Sequence, residues 1–213
     1  MGIHVQTISS QVYKALRDQL IAGHFPPGQP IRQDAVAAGF GVSKIPIREA
    51  LFRLEREGLI SSEANKGFYV IPLTQEEAVD VYTLRLQMEP QAVAEAALMA
   101  SEADKAFARV AFDELNRAAQ SDRLRVPHAN RMFHLSLIRP LKKPVTVQFI
   151  ERLHIISERN LGEHLEPAGG EDQAHMEHRT MLEYWLNGEA EAVKALVHQH
   201  IQATFSELMS HYK

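Results

Sequence analysis

The chain has 213 residues, enough for one large or two small domains, with an apolar content of 45% and a formal net charge of −4. No cysteine is present, which excludes a disulfide framework, a zinc finger and a thiol nucleophile. Charges interrupt every apolar run well before 18 residues and no signal-peptide core is evident, so a cytoplasmic protein without a membrane span is expected. The charge is uneven. Residues 1–72 carry eight Lys/Arg against six Asp/Glu, and residues 73–213 carry fifteen against twenty-one. The first part can approach phosphates, while the second would be repelled by them. Nine of the eleven histidines follow residue 127.

From Ser9 to Ile21, apolar positions at Val12, Leu16, Leu20 and Ile21 predict a helix, closed by Gly23 and the turn Phe25-Pro-Pro-Gly28. A short helix is predicted from Gln33 to Phe40. Gly41 gives the freedom a tight turn needs. Ser43 is a good N-cap, its side-chain oxygen expected to accept from a first-turn amide. Pro46 falls near the third helical position, where a missing N–H costs little. Ile47, Leu51 and Leu54 then form a buried stripe, with Lys44, Arg48 and Arg53 on other faces. Basic residues at the start of such a helix suit the recognition helix of a DNA-binding helix-turn-helix; the alternative is an ordinary amphipathic helix with solvated charges. Gly58 stops it. Leu59 to Ser62 and Phe68 to Ile71 are predicted strands, with Asn65-Lys66-Gly67 in the turn. This is either a wing whose Lys66 and Gly67 reach DNA, or a plain hairpin.

Pro72 marks a linker. Thr74 with Glu77 is a capping box that opens a long helix to about Ala100, with Val81, Leu84, Met88, Ala92 and Ala96 as its expected buried stripe. Ser101 caps a second helix ending near Gln120, and a third covers about Leu124 to Ile138. Pro140-Leu-Lys-Lys-Pro144 breaks the pattern before a fourth, from Val145 to about Leu161. Residues 162–172, rich in Gly, Pro and acids, are expected to form a loop. Two helices flank Asn187-Gly188 and end near Tyr212. The expected fold is mostly α: a winged helix-turn-helix over residues 1–72 with a small β-hairpin wing, then an all-α bundle of about six helices over residues 73–213.

Four blocks carry a family resemblance: Ala22-Gly-His-Phe-Pro-Pro-Gly-Gln-Pro-Ile31, Val42-Ser-Lys-Ile-Pro-Ile-Arg-Glu-Ala-Leu51, Glu57-Gly-Leu-Ile60 and Asn65-Lys-Gly-Phe-Tyr-Val70. Over about residues 7–72 the chain resembles the N-terminal domain of GntR-type transcriptional regulators. The usual Arg-Thr after the N-cap is here Lys44-Ile45, a departure that bears on base preference. Arg85-Leu-Gln-Met-Glu89, Phe133-His134, Glu177-His178 and Gly188-Glu189 with His200 resemble the FCD effector-binding domain of the FadR subfamily. The resemblance implies a DNA-binding set of Arg32, Ser43, Lys44, Pro46, Arg48, Lys66 and Gly67. Lys44 and Arg48 would meet bases or nearby phosphates, with Arg32, Ser43 and Lys66 mostly on the backbone.

In the FCD family an aspartate and a histidine one turn apart, with two later histidines, bind a divalent metal. The carry-over gives Asn130, His134, His178 and His200. Helical counting supports it. His178 lies ten residues before Gly188 and His200 twelve after, so antiparallel helices would hold both roughly 15–18 Å from the turn. Asn130 stands where aspartate is usual; its amide oxygen can coordinate but brings no negative charge. Three neutral imidazoles suit zinc or nickel. The alternative is a hydrogen-bonded polar pocket that holds no metal. His154 and His175 are rival ligands, and His198 should face elsewhere. Arg85 resembles the family's pocket arginine and could form a bidentate pair with an effector carboxylate; the alternative is an internal ion pair with Glu89. Arg159 is a second pocket candidate.

The resemblance implies a ligand-responsive transcriptional regulator rather than an enzyme. It would bind a double-stranded inverted-repeat operator as a homodimer, respond to a small organic acid, and act most often as a repressor. Two alternatives stand beside it: a hydrolase using a three-histidine metal, or a DNA-binding protein with a purely structural bundle.

Overall fold

Thr7 opens the first helix, its hydroxyl accepting from the Ser10 amide at 3.2 Å. In this computed structural model residues 7–21, 24–25, 28–63, 66–71, 74–121, 125–164 and 170–212 are described, without the side chains of 21, 158–164 and 170–173. Gly23, Pro26, Pro27, Asn65 and the Pro72 linker lie outside the described residues. The chain divides into two compact units, Met1–Leu73 and Thr74–Lys213.

In the first unit, α1 (Ile8–Ile21) and α2 (Gln33–Phe40) both pack on α3 (Lys44–Arg56), which leads into β1 (Ile60–Glu63) and β2 (Gly67–Val70). Val12, Leu16 and Leu20 of α1 and Ile47, Ala50, Leu51 and Leu54 of α3 are buried together with Phe68 and Val70 of the hairpin. Burying each large apolar side chain contributes about 1.5–3 kcal/mol. The antiparallel register sets Ile60 against Val70 and Glu63 against Gly67. Each strand is displaced by one residue from its predicted span; burial alternates along β2, where Phe68 and Val70 face inward, but not into β1, where Ile60 and the residue before it, Leu59, are both buried.

Gly41 closes α2 in the left-handed conformation, φ 64°, which makes the helix-turn-helix turn a glycine position. Ser43 is the N-cap of α3, but it makes no side-chain cap bond. The reason lies three residues on. A cap oxygen accepts from the second or third amide of the helix, and Pro46 occupies the third position without an N–H.

The second unit comprises α4 (Gln75–Met99), α5 (Glu102–Ser121), α6 (Val126–Ile138), α7 (Pro144–His164), α8 (Gly170–Leu186) and α9 (Ala190–His211). Both halves of the Thr74–Glu77 capping box are present. Helix α4 packs against α6, α7, α8 and α9 and is the helix around which the bundle assembles. Tyr82 of α4 stacks on Phe205 of α9. Trp185 of α8 is fully buried and donates to the Leu137 carbonyl of α6 at 2.9 Å. Within the span 162–172, expected as a loop, residues 162–164 belong to α7 and residues 170–172 to α8, while residues 165–169 lie outside the described residues.

The buried face of α4 also departs from the predicted stripe. Val81, Ala92 and Ala96 are buried as expected, but Leu84 is 37% exposed while Arg85 and Glu89 are buried. An ion pair one helical turn long occupies the core, and it rotates the buried face away from the position that apolar periodicity alone indicates.

Candidate functional site

In the bundle, His134 on α6, His178 on α8 and His200 on α9 converge. All three are buried, and one ring nitrogen from each lies within 4.8 Å of the others. His134 Nε2 and His178 Nε2 are 3.2 Å apart. Two imidazole nitrogens bound to one tetrahedral zinc at ~2.0–2.1 Å would be separated by about 3.3 Å. Burial, reinforced by the neighbouring histidines, holds both His134 and His178 well below the usual imidazole range, so they are neutral and keep a lone pair. The donor set therefore fits a divalent first-row cation.

Glu177 belongs to the Glu177-His178 pair that carries the FCD resemblance, which assigns it no role. Its Oε2 is 2.8 Å from His200 Nδ1. A carboxylate there fixes Nδ1 as the protonated nitrogen and leaves Nε2 to ligate. The counting that pairs His178 with His200 also finds this contact, since Glu177 lies eleven residues before Gly188 and His200 twelve after it. Gly188 turns the chain at φ 73°. Asn130 sits half-buried on α6, one turn before His134. His198 is exposed and faces away, as expected.

The rival histidines have other partners. His175 stacks on Phe112 at 5.8 Å. His154 is buried, with Nε2 3.1 Å from Glu89 Oε2. Burial lowers its proton affinity, and Glu89 only partly offsets this. Its ring stacks 5.6 Å from that of His134. Arg85 is engaged by Glu89 in a bidentate pair, Nε–Oε1 2.6 Å and Nη2–Oε2 3.3 Å, and also donates to Ser157 Oγ at 3.2 Å. The internal ion pair weighed as an alternative is thus the arrangement present. Burial acts to raise the Glu89 pKa, but Arg85 and then His154 outweigh it and hold the carboxyl at about 2. The Arg159 side chain lies outside the described residues.

In the first unit, Arg32, Ser43, Lys44 and Arg48 are exposed, while Pro46 is half-buried at the foot of α3. Lys44 is ion-paired with Asp34 of α2 at 2.5 Å, both side chains mostly exposed. Such a surface pair contributes ~0–1 kcal/mol and gives way easily to a phosphate. In the hairpin, Lys66 pairs with Glu63, and Gly67 has φ 90° with open space where a Cβ would stand.

Residues 8–70 match the family described as bacterial regulatory proteins, gntR family, and residues 80–203 match the FCD domain. The chain belongs to the GntR family. Among its GntR-type relatives is an uncharacterised helix-turn-helix-type transcriptional regulator, YdhC of Bacillus subtilis. It is 28% identical over 217 residues, with 95% of this chain and 90% of that protein covered. The Nta operon transcriptional regulator of Aminobacter aminovorans is 27% identical over 189 residues, 89% of each chain. The solved structure of E. coli McbR/YncC superposes with a TM-score of 0.82 over 98% of this chain and 100% of that one; at 23% identity this shows the shared fold. GntR regulators with an FCD domain are ligand-responsive DNA-binding transcriptional regulators, not enzymes, and so is this chain. Among the described residues no helix is long and apolar enough to cross a membrane.

Proposed function

We propose that residues 1–72 bind an inverted-repeat operator as part of a homodimer, and that residues 73–213 sense a small organic acid through a divalent metal on His134, His178 and His200. The observation that carries this reading is the convergence of three buried imidazoles, with Glu177 orienting the third. Bound there, zinc or nickel would supply open coordination positions to a carboxylate. Asn130, half-buried one turn before His134, would complete the ligand set with an amide oxygen. That set is neutral, so Glu177 against His200 offsets only part of the charge of the cation and the site attracts an anion. Arg85 is a secondary partner for the acid because Glu89 already holds its guanidinium. Arg159 is assigned to the same pocket on the family resemblance.

At the DNA, Arg48 and Lys44 read bases or nearby phosphates, while Arg32, Ser43 and Lys66 set the register on the backbone; Gly67 leaves room for a close approach, and Pro46 belongs to the set on the family resemblance. Two recognition helices are needed to read a site of useful length, which supports the dimer. Repression is the expected outcome, with the acid releasing the operator because it binds the DNA-incompetent state more tightly.

A thermal-shift screen of small carboxylates, run with zinc and with chelator, tests the sensor half. A ligand at 100 times its Kd adds about 2.7 kcal/mol, several degrees for a chain of this size. A shift that requires metal is expected. A shift that survives chelation would move the anchor to Arg85, and no shift with any acid would remove the sensor assignment.

A further inference from the structure

Ile45 occupies the second position of α3 and its side chain is 69% exposed. It shares the outer face of the helix with Arg48, three residues on, while Ile47, Ala50, Leu51 and Leu54 turn inward. Ile45 borders an open cleft of about 410 Å³ beside Ile8 of α1, but Ile8 is itself 60% exposed, so the two do not bury one another. Ile45 therefore contributes little to the fold. Nor can it serve DNA binding in the way its neighbours do, because its side chain offers no hydrogen-bond donor, acceptor or charge to a phosphate.

One feature of a major groove suits such a group. The C5-methyl of thymine is the only apolar substituent on the exposed base edges of unmodified DNA. Isoleucine is also stiff: β-branching leaves one strongly preferred rotamer in a helix, and Pro46 immediately after it restricts the backbone. A side chain already held in one orientation loses little freedom on docking. We propose that Ile45 is a specificity-determining residue that packs on a pyrimidine C5-methyl group in the operator, thymine in unmodified DNA. The inference rests on α3 being the recognition helix.

Full-length protein is used to select duplexes from a random-sequence pool at one fixed salt concentration. Each thymine of the selected sequence is then replaced by uracil, which removes one methyl and keeps the base pair. One position per half-site should respond with about fourfold weaker binding, the factor that burial of one methyl group supports. Ile45→Ala should bind the thymine and uracil duplexes equally, and selection with Ile45→Thr should alter the base preference at that position alone. If the responsive position is cytosine, C5-methylation should strengthen binding and assign the contact to 5-methylcytosine. Uracil tolerated at every thymine, with methylation silent at every cytosine, would overturn the proposal. So would a uracil penalty that persists in Ile45→Ala. A pool that never enriches would overturn the recognition-helix reading itself, a different failure from enrichment without methyl dependence.

Discussion

The two units of the chain treat their polar side chains in opposite ways. Among the described residues of the DNA-binding unit the core is apolar apart from Arg17, and Arg32, Ser43, Lys44 and Arg48 stand in solvent on a scaffold that does not need them. In the bundle an apolar core encloses polar groups: Arg85, Glu89, His134, His154, His178 and His200 are all buried among residues such as Tyr82, Phe133, Leu137 and Trp185. Recognition of a large polyanion is surface chemistry and can be retuned without refolding. On the proposed reading, sensing of a small molecule is interior chemistry, so its residues carry stability and function together.

That contrast can be broken from either side. The largest effect should come from Glu89→Ala, which leaves the Arg85 guanidinium buried and unpaired and strips His154 of its acceptor. Breaking a buried pair costs about 3–5 kcal/mol. Thermal unfolding should therefore fall by roughly 6–20 °C for a chain of this size. A melting point within two degrees of the parent would mean that the core tolerates the lone charge. Next, His178→Ala should abolish uptake of about one zinc or nickel per chain by chelator-treated protein, followed by calorimetry. If the unmutated protein takes up no metal either, the site is an ordinary polar lining.

Arg48→Ala should cost about 1–3 kcal/mol in operator affinity at fixed salt while leaving the unfolding midpoint unchanged. Equal affinity would remove Arg48 from the reading face. Glu177→Gln keeps the shape of the side chain but loses its charge. It should weaken metal binding about 10- to 100-fold in a competition titration, with far-UV circular dichroism unaltered. The smallest effect belongs to the hairpin. Lys66→Ala should weaken all duplexes alike and lower the slope of log K against log salt by about one, whereas a sequence-dependent loss would make Lys66 a base reader.

Much of this was legible in the sequence, for local reasons. Helix ends were marked by residues whose conformational demands are strict: the Thr74–Glu77 box, Gly41 at φ 64° and Gly188 at φ 73°. The convergence of His178 and His200 follows from arms of similar length, ten and twelve residues, about one turn. Three things were not legible. The Arg85–Glu89 pair stands in the sequence as an alternative, but its place on the inward face of α4, with Leu84 at the surface instead, does not follow from apolar periodicity. Ser43 takes the cap position without the cap bond because the effect of Pro46 is felt three residues away. The Glu89–His154 contact joins α4 to α7 across 65 positions of sequence, and no local pattern encodes that pairing.

The hairpin about Gly188 also constrains what lengths this protein can have. Twenty-one residues separate His178 from His200. Adding or removing one residue on either arm would rotate everything beyond it by about 100° around its helix axis and slide it by about 1.5 Å. A single-residue insertion in α8 or α9 between those histidines would swing a ligand off the site, and only changes near whole helical turns, made on both arms, would bring it back. In a lineage drifting by small insertions and deletions, this segment should therefore hold its length even where its amino acids change.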